Sequence, residues 1–184
     1  MKNLFFKQGM IITMTEAVFF DRDGTLGLLD DDRYPDTFVP FDFLPDVLRQ
    51  LKQAGIASYI YTNQSCVARG LDRGYDFAAE FAAMGLDDWF ICPHDRDDGC
   101  DCRKPKSGLL LEARQKHGLD LTRCYVVGDR LTDLEAGIKV GCKAILVRTG
   151  RGKSEVELLA ATGWPKIDIA EDVRAAVEIV LGDG

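Results

Sequence analysis

Basic charge, histidine and long apolar runs are all scarce in this chain, and each scarcity closes off a class of function. Lysine and arginine total 23 against 30 aspartates and glutamates, a net charge of −7 with a pI near 4.9. That balance argues against a general nucleic-acid or anionic-membrane surface, so any phosphate the protein handles must meet a local positive site. No apolar run approaches the ~20 residues that cross a bilayer. Lys7 interrupts the opening MKNLFFKQGM before a signal-like apolar core forms, so the expected location is cytoplasmic, with no membrane partner. The histidines number two, His94 and His117. Neither is near Cys66 in sequence, which leaves a nucleophilic reading of that thiol without an activating base. His117 falls near a predicted helix C-terminus, where a cap or solvated group is the ordinary role.

Six cysteines are present, but not in a disulfide-like distribution. Cys66, Cys124 and Cys142 lie singly in or beside apolar segments, as inert buried thiols do, whereas Cys92, Cys100 and Cys102 crowd together with His94. The pattern fits reduced cysteine plus one metal site.

At 184 residues the length suits one domain with a core of its own. Residues 1–15 read as an appendage of uncertain origin, with Met10 and Met14 as alternative starts, and 16–184 as a single domain. Within it short apolar runs alternate with amphipathic stretches. Strands are expected at AVFF (17–20), IASYIY (56–61), DWFIC (88–92), CYVVG (124–128) and KAILV (143–147). Helices are expected at 44–55, 75–85, 108–118, 131–141 and 170–181. Strict alternation implies parallel strands joined by right-handed crossovers, a doubly wound α/β fold in which ligands sit beyond the carboxyl ends of the strands. Asp21 and Asp23, Thr62 and Asn63, and Asp129 and Asp133 all follow strands, and Lys104 is placed at the opening of the helix before CYVVG. All of them should therefore lie on one rim.

Two carboxylates two positions apart at a strand end repel each other, and burying either requires a cation or a proton. Adjacent strands would bring Asp21 and Asp129 within a few ångströms, where a hard divalent cation such as Mg²⁺ suits oxygen ligands. FFDRDGTL resembles the first signature of the haloacid dehalogenase (HAD) superfamily, IYTNQS the second, CRKPKSG the third and VVGDRLTD the fourth; the ordered set covers about residues 16–150. That resemblance implies a phosphatase in which Asp21 is the nucleophile that forms an aspartyl-phosphate and Asp23 the general acid and base. By the same resemblance Thr62 would donate to the phosphoryl group, Lys104 would neutralise its charge, and Asp21, Asp129 and the backbone carbonyl of Asp23 would hold Mg²⁺. Asp133 would reach the metal through water or steady Lys104.

CPHDRDDGCDC (92–102) offers Cys92, His94, Cys100 and Cys102, the composition of a closed structural zinc site. Eight cysteines and histidines spread evenly over the chain would put only about half a residue in such a window. The loop resembles that of the HAD branch containing heptose 1,7-bisphosphate and histidinol-phosphate phosphatases, in which CDCRKP joins the zinc loop to the catalytic lysine. The stretch from Leu26 to Leu44 is too short for a helical cap domain. Substrate choice then falls to loop 27–42, the zinc loop, Asn63 and Arg103, whose fork suits a second phosphate or a carboxylate. The expectation is a monomeric Mg²⁺- and Zn²⁺-containing hydrolase of a small phosphorylated metabolite in carbohydrate metabolism, with a heptose-type bisphosphate as the expected substrate and histidinol phosphate as the alternative. In place of the Gly-Tyr-Val element usual in the heptose branch stands RYPDTFVPF. A zinc-knuckle module that binds nucleic acid is the rival from another class. It would want basic and aromatic flanks where this loop carries Asp95, Asp97, Asp98 and Asp101.

Overall fold

The computed structural model describes residues 6–7, 10–11, 15–31, 33–164 and 167–183, so most of the expected N-terminal appendage lies outside the described residues. Of it, β1 (Phe6–Lys7) and β2 (Met10–Ile11) pair antiparallel. The all-apolar run Ala17–Phe20 forms β3, and a short antiparallel hairpin follows, β4 (Gly27–Leu29) with β5 (Phe38–Pro40). This hairpin, here called the flap, was not expected from sequence. It and a one-turn 3₁₀ helix at Pro35–Thr37 fill the stretch between Leu26 and Leu44, where a helical cap domain has no room.

The remaining elements alternate: α1 (Leu44–Gln53), β6 (Ala57–Asn63), α2 (Phe77–Met84), β7 (Asp88–Cys92), α3 (Gly108–His117), β8 (Cys124–Gly128), α4 (Leu131–Ile138), β9 (Lys143–Val147), α5 (Gly152–Leu159), β10 (Asp168–Ala170) and α6 (Val173–Gly182). Six strands form one parallel sheet in the order β10-β9-β8-β3-β6-β7. Both faces are covered. Val18 and Phe20 pack with Leu44, Val47 and Leu51 of α1 and Val173 and Val177 of α6, while Ala17 and Phe19 pack with Leu109 and Leu110 of α3 and Leu134 of α4. Burial on both faces is why the strands read as continuous apolar runs rather than as alternating ones.

The chain begins the sheet at β3, winds outward through β6 to β7, then returns to the other side of β3 for β8. Strand order therefore reverses between β3 and β8, and the crevice at their carboxyl ends is the place where such sheets bind ligands. Register puts Phe20 opposite Val127 and Ile60, and the amide of Asp21 continues the ladder by donating to the carbonyl of Val127 at 2.9 Å. Two placements differ from the sequence expectation. Thr62 and Asn63 are the last residues of β6 rather than the start of a loop, and Lys104 precedes α3, whose first residue is Gly108.

Candidate active site

At the switch point Asp21, Asp129 and Asp133 bring carboxylate oxygens within 4.8 Å of one another. All three are buried, at 6%, 2% and 2% exposure. Lys104 Nζ lies 2.6 Å from Asp21 Oδ1 and 2.8 Å from Asp133 Oδ1, and it donates to the carbonyl of Tyr61 at 2.9 Å. Burial works against its charge, but Asp133 and Asp21 outweigh that and hold the ammonium above the usual lysine range. Asp133 steadies Lys104 and also accepts from the Arg130 amide at 3.0 Å, fixing the start of α4.

Three carboxylates facing one ammonium leave an excess of negative charge. Burial, with Asp21 and Asp133 nearby, pushes the Asp129 carboxyl up to about 8. Asp129 Oδ2 accepts from the Arg151 amide at 2.8 Å, while Oδ1 is buried with no hydrogen-bond partner. A buried carboxylate oxygen left unpaired is expensive, and a hard cation is the natural partner for this donor set. The backbone closes around the same group: a Cβ on Gly24 or on Gly150 would stand 2.1 or 2.2 Å from Asp129 Oδ2, and both residues have positive φ, +88° and +54°. Glycine is required here both by close approach and by conformation.

Asp23 is half-buried across the crevice. Its Oδ1 takes the guanidinium of Arg22 at 2.6 Å, and its Oδ2 takes Gln64 Nε2 at 3.0 Å. Burial raises its carboxyl above the usual range against the pull of Arg22, and the charge of Asp21 adds to the rise. Thr62 is buried at the end of β6, its Oγ1 3.0 Å from Gln64 Nε2. The Asn63 amide pairs with the backbone of Lys104 in both directions, at 3.0 and 3.2 Å, so it anchors the segment that delivers the lysine. Arg103 lines the cleft, with Nη1 donating to Ser65 Oγ at 2.7 Å and the His94 carbonyl at 3.0 Å. The cleft above this floor, about 1370 Å³, is walled by the flap, by the loop after β6 and by residues 96–106.

Arg22, Gln64 and Glu80 were missed as site residues. A faint signal existed for the first two: a charged residue inside the buried DRDGT turn, and an amide two positions beyond Thr62. Glu80 lies 58 residues from Arg22, whose guanidinium it holds, and nothing local in the sequence marks it.

The second constellation converges as expected. Cys92 Sγ is 3.7 Å from Cys100 Sγ and 3.3 Å from Cys102 Sγ; His94 Nδ1 is 3.7 Å from Cys92 Sγ and 3.2 Å from Cys102 Sγ. Metal bonds of about 2.3 Å in a tetrahedron put ligands a little under 4 Å apart, so these four donors could hold one metal ion. The separations also exceed by far the ~2.05 Å of a disulfide, and all six cysteines are free.

Comparison with known proteins agrees with this geometry. A profile of HAD-hydrolase-like proteins matches residues 101–176. The chain is 39% identical over 149 residues to D-glycero-β-D-manno-heptose-1,7-bisphosphate 7-phosphatase of Pseudomonas aeruginosa, spanning 73% of this chain and 82% of that protein. It is 40% identical over 157 residues to the protein of the same name in Haemophilus influenzae, spanning 75% and 84%. The chain belongs to the heptose-1,7-bisphosphate 7-phosphatase family of HAD-like hydrolases. The crystal structure of the family's Bordetella bronchiseptica member, complexed with magnesium and phosphate, superimposes with a TM-score of 0.80 at 32% identity, covering 92% of this chain and 99% of that one. Membership in this phosphatase family makes the protein a phosphoric monoester hydrolase. Among the described residues no helix is long and apolar enough to cross a membrane.

Proposed function

We propose that this chain removes one phosphate from a small sugar bisphosphate of the heptose type, using Mg²⁺ at Asp21, Asp129 and the Asp23 carbonyl, with Zn²⁺ at Cys92, His94, Cys100 and Cys102. The observation that carries the reading is the buried Asp21–Lys104 pair, with the unpaired Asp129 oxygen beside it at the switch point. The names of its relatives point to the substrate class. An arginine- and lysine-rich rim on an acidic protein supports a doubly anionic substrate: Arg69, Arg96, Arg103, Lys106, Arg130 and Arg151 all border the cleft. Residues 16–184 act as one domain, and the enzyme works as a cytoplasmic monomer with reduced thiols.

In the first step an Asp21 carboxylate oxygen forms a bond to phosphorus as the bond to the sugar oxygen breaks, and Asp23 delivers a proton to that oxygen. In the second, Asp23 takes a proton from a water whose oxygen attacks phosphorus, releasing phosphate and restoring Asp21. Lys104 and the Thr62 hydroxyl balance the charge on the phosphoryl oxygens, and this positioning supplies most of what phosphoryl transfer needs. Mg²⁺, when bound, adds positive charge facing the phosphoryl group and Asp21. Cys102 lies two residues from Lys104, so Cys92, His94, Cys100 and Cys102 holding a metal would tie down the lysine's segment, to which the Asn63 amide is already bonded.

The test is a panel of phosphorylated sugars, amino alcohols and nucleotides assayed on wild type, Asp21→Asn and Arg103→Ala. Asp21→Asn is expected to abolish turnover with the fold intact. Sugar bisphosphates are expected to win in kcat/KM, and Arg103→Ala to remove most of that preference, a loss of about 2–4 kcal/mol for an unmade bidentate charged contact. A nucleotide preference, or an equal effect of Arg103→Ala on every substrate, discards the bisphosphate reading.

A further inference from the structure

One buried ion pair, Arg22 with Glu80, has no part in the two steps above. Arg22, between the two aspartates of the first signature, is fully buried. Its Nη1 donates to Asp23 Oδ1 at 2.6 Å, its Nε and Nη2 to the two oxygens of Glu80 at 2.9 and 2.7 Å, and Nη2 also to the Pro35 carbonyl at 2.8 Å. Its Cζ sits 4.0 Å from the centre of the Phe38 ring. A dry guanidinium is expensive, and an apolar side chain of similar volume would fill the space without desolvation. What the arginine supplies instead is direction. Its planar fork, gripped along one edge by Glu80 and faced by the Phe38 ring, presents Nη1 to Asp23 along a single line.

We propose that Arg22, clamped by Glu80, is a positioning residue that aims the Asp23 carboxyl at the leaving oxygen. The proposal rests on the reading of Asp23 as general acid. With Oδ1 held by Arg22, the transferable proton belongs on Oδ2, which Gln64 Nε2 locates from 3.0 Å. As the phosphorus–oxygen bond breaks, its electron pair passes to the leaving oxygen. That oxygen takes the proton from Oδ2, and Asp23 is left as a carboxylate beside the arginine.

The test compares kcat/KM on an alkyl ester, β-glycerophosphate, with kcat/KM on p-nitrophenyl phosphate, whose leaving group departs without a proton. For Asp23→Asn the alkyl-to-aryl ratio should fall about 100-fold or more, the usual scale of general acid catalysis. Glu80→Gln, which keeps the volume and one acceptor, and Arg22→Lys, which keeps the charge without the fork, should each lower the ratio roughly tenfold. Combined with Asp23→Asn, Glu80→Gln should lower it no further. Because the ratio is independent of how much active enzyme a preparation contains, a loss of folding cannot imitate the effect. Ratios for Glu80→Gln and Arg22→Lys within about twofold of wild type overturn the proposal, as does a further fall in the double variant. An unchanged ratio in Asp23→Asn itself instead removes the general-acid reading, and this proposal with it.

Discussion

Lys104→Met is the substitution whose outcome the geometry fixes most tightly. The ammonium is buried and pairs with Asp21 at 2.6 Å and Asp133 at 2.8 Å; with an effective dielectric of about 20, each contact is worth roughly 6 kcal/mol of gross attraction. Most of that is offset by desolvation, but methionine keeps the volume and removes the charge, leaving two buried carboxylates without their cation and the Tyr61 carbonyl without the lysine donor. Breaking a buried pair in this way costs about 3–5 kcal/mol. For a chain of this size each kcal/mol moves the melting temperature by about 2–4 °C, so Tm should fall by roughly 6–20 °C. Loss of the cation facing the transferring group should also lower kcat by about 10²–10³. Circular dichroism melts and steady-state rates check both, with Lys139→Met as the control: its exposed pair with Glu135 at 2.7 Å is worth about 0.5 kcal/mol or less. A Lys104→Met variant that melted within about 2 °C of wild type would refute the burial reasoning, and one that kept its kcat within about threefold would refute the catalytic role.

Gly24→Ala places a Cβ 2.1 Å from Asp129 Oδ2 at a φ of +88°; beyond about 1–2 kcal/mol of backbone strain it must displace that carboxylate, so the Mg²⁺ concentration for half-activation should rise about tenfold or more, and an unchanged Mg²⁺ titration would count against Asp129 as a ligand. Asp88, at the start of β7, takes Lys116 at 2.7 Å and His117 at 2.6 Å, and these partners hold its carboxyl below the usual range against the burial that opposes them. A depressed folded value means stability present above the unfolded value near 4 and lost as pH falls through the folded one, so Asp88→Asn should destabilise by about 1–2 kcal/mol at pH 5.5 and by less at pH 3; equal losses in urea titrations at both would contradict this. Freshly purified reduced protein should carry one zinc that survives mild chelation while Mg²⁺ is lost and restorable, and Cys100→Ser should lower zinc content, Tm and activity together; elemental analysis finding no metal on the cluster would remove the zinc site.

The doubly wound sheet was legible because strands covered on both faces are written as apolar runs such as AVFF and CYVVG, and the helices between them keep one apolar stripe. What escaped was short and weakly patterned. The flap strands are three residues each, one ending in Pro40, with Leu28 and Val39 exposed. In β10 only Ala170 is buried, and α5 opens on Gly152-Lys153-Ser154 with a single buried residue. Acidic residues just past strand ends announce themselves because carboxylates there need compensation. Arg22 and Glu80 do not, since a guanidinium and a carboxylate 58 residues apart acquire meaning only once α2 has been folded against the root of the flap.

Asp21 and Asp129 extend from adjacent strands whose pairing is locked from Ala17–Cys124 to Phe20–Val127. Neighbouring strands keep a spacing of about 4.8 Å set by the backbone ladder. The spacing between the backbones that carry these two carboxylates is thus measured by a ruler that no side chain can lengthen, and repacking the core or trimming a loop leaves its divisions unchanged. The flap and the Cys/His loop hang from that ruler without being part of it. Grafting residues 27–42 or 92–102 from a relative with another substrate should therefore exchange the molecule that is dephosphorylated while the chemistry of phosphate removal stays where the sheet put it.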